Sequence, residues 1–151
     1  MLEPLVSTLI VPCAQAQAFD VFVTDMGSWW PLHKRSVSIR AGHPPKGLRT
    51  DPRPGGQIVE LGHDGKEHLW GTYTVVEPHV RVCLDFHIGM PAQTASHVEV
   101  RFTPLADDST RVVLTQSNWE AFGSMAEMMR GGYGSSWTLI FEQHYLAACG
   151  G

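Results

Sequence analysis

The sequence predicts an α+β fold in which a curved antiparallel sheet of about six to seven strands wraps around a long C-terminal helix. From residue 57 onward, short β-branched runs alternate with turn residues, as successive hairpins do. Residues 137–145 then place apolar side chains at spacings of three and four, and the apolar stripe of such a helix must be buried against one face of the sheet. With no internal repeat and no linker, residues 1–151 are expected to form a single domain.

The first third of the chain predicts a strand, a helix and a second strand. Residues 5–12 are apolar and stop at a proline, which suits a strand. Over residues 14–26 the apolar residues fall at spacings of one, three or four, which predicts a helix that Gly27 would follow. Residues 35–41 alternate and predict a strand, and the Pro- and Gly-rich residues 42–56 predict a long loop.

The remainder of the chain predicts five further strands and two helices. The strand ranges are 57–62, 68–77, 80–88, 96–104 and 110–118. Asn118 is suited to cap a short helix over residues 119–130, which Gly131-Gly132 would end. A last helix is predicted from residue 135 or 136 to residue 148.

One hairpin can be registered from its pattern by centring it on Ala92. Leu84 then pairs with Val100 on one face, and His87 pairs with His97 on the other. Side chains opposite one another share a face, so one face is apolar and the other is charged. We expect the apolar face to contact the helix.

The same alternation, continued into the following strand, brings the amide of Gln116 to the inner, apolar face. Strand 68–77 is ambiguous, because either the face with Trp70 or the face with Tyr73 could point inward.

The composition limits the classes of partner and the cellular location that we expect for this protein. The net charge is −4, from eleven Lys+Arg and fifteen Asp+Glu, and no basic run is present, so nucleic acid is not an expected partner. The apolar run Leu9-Ile10-Val11 is far shorter than the roughly 20 residues of a membrane span. Three cysteines are an odd number, which favours a reducing compartment and predicts a cytoplasmic protein.

Two adjacent tryptophans, Trp29-Trp30, precede Pro31 in a connection. Large aromatic side chains bury roughly 150–250 Å² each, so this pair needs a surface to cover. It is expected to form a wall that either closes the core or lines a pocket.

Short motifs along nearly the whole chain resemble those of the START/Bet v 1-like superfamily. They are Ala18-Phe19, Trp29-Trp30-Pro31, Arg53-Pro54-Gly55-Gly56, Asp64-Gly65, Trp70-Gly71-Thr72, Glu77-Pro78 before Val80-Arg81-Val82, the residues 98–104 and 110–115, and Tyr133-Gly134 ahead of Trp137. Within the superfamily, the chain is most similar to bacterial single-domain proteins called activator of heat-shock protein 90 ATPase-like. The resemblance implies a helix-grip fold with a hydrophobic cavity between sheet and helix. Relatives include lipid carriers, hormone receptors, polyketide cyclases and co-chaperone domains, so the resemblance leaves the function open.

The sequence offers little for catalysis, a metal or a cofactor. Eight histidines are many, yet none lies in a His-Glu-x-x-His motif and no Cys-x-x-Cys is present. There is no Gly-x-Ser-x-Gly motif, and Gly132-Tyr133-Gly134 lacks the third glycine of a dinucleotide site. We therefore predict no catalytic residue, no metal and no cofactor.

The preferred hypothesis is non-enzymatic binding of a small hydrophobic or amphipathic molecule in an internal helix–sheet cavity. The predicted lining residues are Trp29, Trp30, Trp70, Phe86, Val100, Leu114, Gln116, Phe122, Met129, Trp137 and Phe141. The alternatives are a polyketide cyclase-like enzyme in the same cavity and a co-chaperone-like interaction module. A homodimer is compatible with all three.

The methionine-rich segment 119–130 has two readings. It is either a helix packed on the rim of the sheet, or a lid over the cavity with Gly131-Gly132 as its hinge.

Overall fold

The computed structural model describes residues 2–151, and in them one seven-stranded antiparallel sheet has the order β1-β7-β6-β5-β4-β3-β2. The strands are β1 (Leu5–Val11), β2 (Gly47–Thr50), β3 (Gln57–Leu61), β4 (Glu67–Glu77), β5 (Arg81–Phe86), β6 (Ser96–Pro104) and β7 (Thr110–Ser117). The sheet curls around the C-terminal helix. This architecture confirms the predicted α+β class and the helix-grip fold.

The helices are α1 (Gln15–Val23), α2 (Met26–Trp29), α3 (Val37–Arg40), α4 (Ala126–Leu139) and α5 (Leu146–Ala148), with a π-helical segment (Ile140–Tyr145) between the last two. The backbone stays right-handed helical through both junctions, so residues 126–148 form one continuous C-terminal helix. Short 3₁₀ turns occupy Ala92–Thr94, Ala106–Asp108 and Trp119–Met125. No helix within residues 2–151 combines the length and the apolar character needed to cross a membrane.

The predicted strand 35–41 is wrong, because these residues contain the helical turn α3. Ser36 caps it by accepting a hydrogen bond from the Ile39 amide at 3.1 Å. The buried carboxylate of Glu60 then accepts the backbone amides of Val37 and Ser38, each at 2.8 Å. These hydrogen bonds stabilise a helical turn, although the residues alternate as they would in a strand. The predicted loop 42–56 is correct only in part, since it contains the edge strand β2 paired to β3.

The predicted end of a helix at Gly131-Gly132 is also wrong. Residues 119–125 form a 3₁₀ turn, α4 begins at Ala126, and it runs through both glycines. Asn118 has a left-handed backbone with φ 67° and makes no capping bond. Packing of Tyr133 and Trp137 against the sheet overrides the low helix propensity of the two glycines.

The hairpin register is shifted by two residues from the predicted one. Leu84 pairs with Val98 rather than Val100, and His97 lies opposite Asp85 rather than His87. The cause is the connection, which is centred one residue earlier than predicted. A shift of two keeps the side chains within the paired strands on their predicted faces. His87, predicted on the charged face, instead follows the end of β5 and is buried.

The sequence left open whether Trp70 or Tyr73 of β4 points inward, and a β-bulge in this strand allows both to do so. Ile58 pairs with Gly71 and Val59 with Leu69, so Trp70 is the extra residue. The register shifts again after Tyr73. As a result, both Trp70 and Tyr73 are buried in the core, at 0% and 1% exposure.

The C-terminal helix packs on the core through four buried aromatic residues at intervals of four: Tyr133, Trp137, Phe141 and Tyr145. In an α-helix each four-residue step overshoots a full turn by about 40°, so such a row drifts away from the core. The wider π-helical turn at Ile140–Tyr145 rotates less per residue and offsets the drift. Phe141 and Tyr145 therefore remain fully buried, and their rings stack at 5.5 Å.

Candidate functional site

A cleft of about 370 Å³ opens between α4 and the connection from β5 to β6. Its lining combines methionine, aliphatic and aromatic side chains with an arginine and a serine: Arg40, Ile88, Met90, Met128, Met129, Gly132, Tyr133 and Ser136. Below we call this "the cleft". Its apolar walls with few polar groups are typical of small-molecule sites.

A small recess of about 40 Å³ lies beneath the cleft and shares four lining residues with it. Its further lining residues are Trp30, Arg35, Phe86, Trp137 and Ile140. This volume holds only a few water molecules. The interior between helix and sheet is thus largely filled by side chains, and the space for a larger molecule lies in the cleft above it.

The two adjacent tryptophans, expected to form one wall, lie in different places. Trp29 closes the core, because its indole N–H donates to the Val21 carbonyl at 2.6 Å and its ring packs on Phe22 and Tyr145. Trp30 lines the recess, and its indole N–H donates to the Arg35 carbonyl at 2.8 Å.

The Gln116 amide is fully buried and already hydrogen-bonded at both ends. Its oxygen accepts the indole N–H of Trp137 at 2.7 Å, and its nitrogen donates to the Ser96 hydroxyl at 2.8 Å. The hydroxyl of Ser96 in turn donates to the Phe86 carbonyl at 2.9 Å. This chain fixes Trp137 against the sheet. Gln116 lines neither the cleft nor the recess.

The other predicted lining residues divide between the cleft, the recess and the core. Met129 lines the cleft, and Phe86 and Trp137 line the recess. Val100 and Leu114 are fully buried in the sheet, Phe122 packs on Trp119, and Trp70 and Phe141 are fully buried elsewhere in the core. The structure therefore brings together four of the predicted residues at the cleft and the recess: Trp30, Phe86, Met129 and Trp137.

The buried carboxylate of Glu60 is hydrogen-bonded within the fold. Glu60 accepts hydrogen bonds from the Val37 and Ser38 amides, the Ser38 hydroxyl and, at 2.9 Å, the indole N–H of Trp70. Burial raises the pKa of Glu60, but these donors together outweigh burial and leave the pKa below its usual value. Glu60 therefore stays ionised and is a poor proton donor at neutral pH.

Sequence reasoning missed Tyr133, which borders both the cleft and the recess. Its side chain is 9% exposed, and its hydroxyl is buried without a hydrogen-bond partner among residues 2–151. Burial raises the pKa of the phenol, and the charge of Arg40 opposes the rise only in part. The position four residues before Trp137 was the signal that could have placed Tyr133 on the inner face.

Sequence reasoning also missed the two arginines. Arg40 lines the cleft and the recess, and Arg35 lines the recess while its Nε donates to the Ser136 hydroxyl at 3.1 Å. The incorrect strand over residues 35–41 concealed them, because it gave no reason to direct either side chain toward the C-terminal helix.

A second cavity of about 370 Å³ lies near the start of α4 and differs in charge. Its lining includes Trp119, Glu120 and Glu127 but no basic residue. The two cavities are similar in volume and opposite in charge.

Comparisons with known proteins agree with this architecture. The sequence profile of the family described as Activator of Hsp90 ATPase homolog 1-like protein matches residues 15–143. The chain belongs to this family. This activator-homolog family is the one that the motifs resembled. No curated protein sequence matches the chain.

Solved structures share the fold of this chain at low sequence identity. A self-sacrificing resistance protein from Micromonospora echinospora is 20% identical, with a TM-score of 0.67 over 97% of this chain and 90% of that one. An Hsp90 activator from Plasmodium falciparum is 18% identical, with a TM-score of 0.63 over 97% and 96%. An anthrahydroquino-γ-pyrone synthase is 22% identical, with a TM-score of 0.63 over 98% and 95%. At such identities the likeness shows the fold alone.

Proposed function

We propose that this protein binds a small, mostly apolar molecule in the cleft, without chemical transformation. The observation that carries the proposal is the cleft itself, which is large enough for a ring-sized molecule and is lined by Met90, Met128 and Met129. Methionine side chains are flexible and polarisable, so they adapt to apolar ligands of varied shape. The predicted ligand class is retained, and its site moves from the interior to the cleft.

The recess supplies a rigid floor for the cleft. Trp30 packs on Trp70 with ring centroids 5.0 Å apart and on Trp137 at 6.0 Å, and Trp137 is hydrogen-bonded to Gln116. A floor that is already ordered lowers the entropic cost of binding. The predicted aromatic wall therefore supports the ligand from below rather than surrounding it.

Binding is favoured over catalysis because of the titratable groups at the site. A general acid or base works best with a pKa near the operating pH, and burial moves the pKa of Tyr133 upward, away from it. Its phenol is suited to donate a hydrogen bond and unsuited to act as a base.

Binding at the cleft is also favoured over a co-chaperone-like outer patch. The exposed large apolar residues among residues 2–151 are Val6, Ile10, Val80, Met125 and Met128. They are distributed over β1, the turn before β5, the 3₁₀ turn before α4 and α4 itself, and only Met128 borders the cleft. A cytoplasmic location remains part of the proposal, supported by three free cysteines.

Two adjacent glycines provide a matched test. Gly131 and Gly132 are both exposed in α4 with open space at the Cβ position, yet only Gly132 lines the cleft. The probe is N-phenyl-1-naphthylamine, a neutral dye whose fluorescence rises in apolar sites. We expect one probe per protein, binding at least tenfold weakened by Gly132→Leu, and binding unchanged within twofold by Gly131→Leu. Equal effects of the two variants, or no saturable binding to the wild type, would contradict the proposal.

A further inference from the structure

The cleft and recess are basic in a protein that is acidic overall. The net charge is −4, yet the lining of the cleft and recess contains Arg35 and Arg40 and no Asp or Glu. The cavity beside Trp119, which has a similar volume, contains Glu120 and Glu127 instead. The positive charge is therefore a property of this site rather than of the surface as a whole.

Arg40 has no partner of its own within residues 2–151. Its guanidinium takes part in none of the hydrogen bonds or ion pairs of this part of the chain, although acidic residues outnumber basic ones. Its Nη1 lies against the backbone of Gly89, where a Cβ atom would approach it to 2.4 Å. Gly89 has φ +74°, so a glycine suits both the turn and the close approach.

The hydroxyl of Tyr133 is the second unpartnered group. Buried polar atoms are almost always hydrogen-bonded, and one that is not calls for an explanation. Here the atom belongs to a side chain that borders the cleft and the recess and whose pKa responds to the charge of Arg40. The buried phenol and the exposed guanidinium of Arg40 line the same cleft and recess, and one acceptor that carries negative charge would satisfy both.

We propose that the ligand of the cleft has an apolar, ring-sized body and one anionic oxygen group, such as a carboxylate, bound by Arg40 and by the hydroxyl of Tyr133. This inference rests on the proposed function. Arg35 lines the recess and is partly committed, since its Nε and Nη1 donate to Ser136 and Lys34. The methionines hold the ring, and the two unpartnered donors hold the oxygen group.

The test compares two probes of nearly equal shape, 2-naphthoate and 2-naphthamide, by calorimetric titration. We expect the wild type to bind the carboxylate at least tenfold more tightly than the amide, since hydrogen bonds to charged groups are the stronger ones. Arg40→Gln should remove this preference while leaving the amide affinity within twofold. Lys46→Gln, which removes one exposed charge away from the cleft, should preserve it.

Tyr133→Phe separates the hydrogen bond from the charge. It removes only the unpartnered hydroxyl, so the fold is retained, and the affinity for 2-naphthoate should fall about tenfold, with a smaller loss for 2-naphthamide. A preference for the carboxylate that survives Arg40→Gln overturns the inference.

Other outcomes separate the two proposals. Equal binding of both probes, lost in Gly132→Leu, overturns the anionic ligand while the cleft remains a binding site. Binding of neither probe, and of no neutral dye, overturns both.

Discussion

Two tyrosines on the C-terminal helix show how differently its two ends are built. The hydroxyl of Tyr145 donates to the Ala18 carbonyl at 2.8 Å, and its ring stacks on Phe141 and packs on Phe22 and Trp29. The hydroxyl of Tyr133 is buried without a partner beside the cleft. One helix therefore has a sealed end, where the tyrosine hydroxyl is hydrogen-bonded, and an open end, where the tyrosine hydroxyl has no partner within residues 2–151.

The difference between the two hydroxyls has a consequence for the stability of the fold. A buried polar group that lacks a partner is unfavourable by about 1–3 kcal/mol. Tyr133 keeps such a group next to the cleft, whereas the corresponding hydroxyl of Tyr145 is hydrogen-bonded. We infer that the sealed end holds the fold and that the open end binds the ligand.

The largest expected effect comes from emptying the sealed end. Phe141→Ala should lower the free energy of unfolding by about 3–5 kcal/mol, because Phe141 is fully buried and its removal leaves a cavity in the core. Met128→Ala at the open end should change it by no more than about 0.5 kcal/mol, since Met128 is 65% exposed. Urea denaturation of the two variants measures the contrast, and comparable losses would remove the distinction between the ends.

Glu60 offers a second large effect with a defined pH dependence. Its pKa is lowered in the folded protein, so the stability it contributes is present above the unfolded pKa and is lost as the pH falls through the folded value. Glu60→Gln should cost about 3 kcal/mol at pH 7, because donors that the carboxylate satisfied lose their partner. The melting temperatures of wild type and variant should converge on acidification below the ordinary carboxyl range. Parallel curves down to low pH would show that Glu60 is not the titrating group.

Removing the two hydroxyls gives a smaller effect of opposite sense at the two ends. Tyr145→Phe should lower the free energy of unfolding by about 1–2 kcal/mol, because the buried hydrogen bond from the hydroxyl to the Ala18 carbonyl is lost. Tyr133→Phe should leave it unchanged or raise it by up to about 1 kcal/mol, because the hydroxyl has no partner to lose. Equal destabilisation in thermal melts would show that Tyr133 is satisfied in solution.

The smallest effect concerns the glycines inside α4. Gly131→Ala and Gly132→Ala should each raise the free energy of unfolding by about 0.5–1 kcal/mol, because alanine loses less backbone entropy on folding and the Cβ position is open. Chemical denaturation measures the gain. A loss of stability in either variant would indicate that the helix bends at that residue, as the predicted lid hinge required.

Much of the fold could be predicted from the sequence because local periodicity survives errors of register. The predicted register of the hairpin from β5 to β6 was wrong by two residues. Leu84 and Val98 nevertheless face the core as predicted, since side chains alternate with a period of two. The identity of α3 could not be predicted in this way. Its amides are satisfied by Glu60, which lies more than twenty residues away in the sequence.

The site was less predictable than the fold for a similar reason. Aromatic residues such as Trp30 and Trp137 were expected at a cavity, and they do border the recess. Whether a polar group has a partner depends on the tertiary structure, so the satisfied Gln116 and the unsatisfied Tyr133 look alike in the sequence. The sequence predicted the amide of Gln116 as the polar contact, whereas our proposal assigns that contact to the phenol of Tyr133.

The central claim is that the open end of the C-terminal helix is the ligand site, and methionine-methyl NMR tests it directly. Titration with N-phenyl-1-naphthylamine should shift the methyl signals of Met90, Met128 and Met129, which line the cleft, and leave that of the buried Met26 unchanged. Shifts confined to Met26 or to Met125, or no shift at saturating probe, would contradict the account.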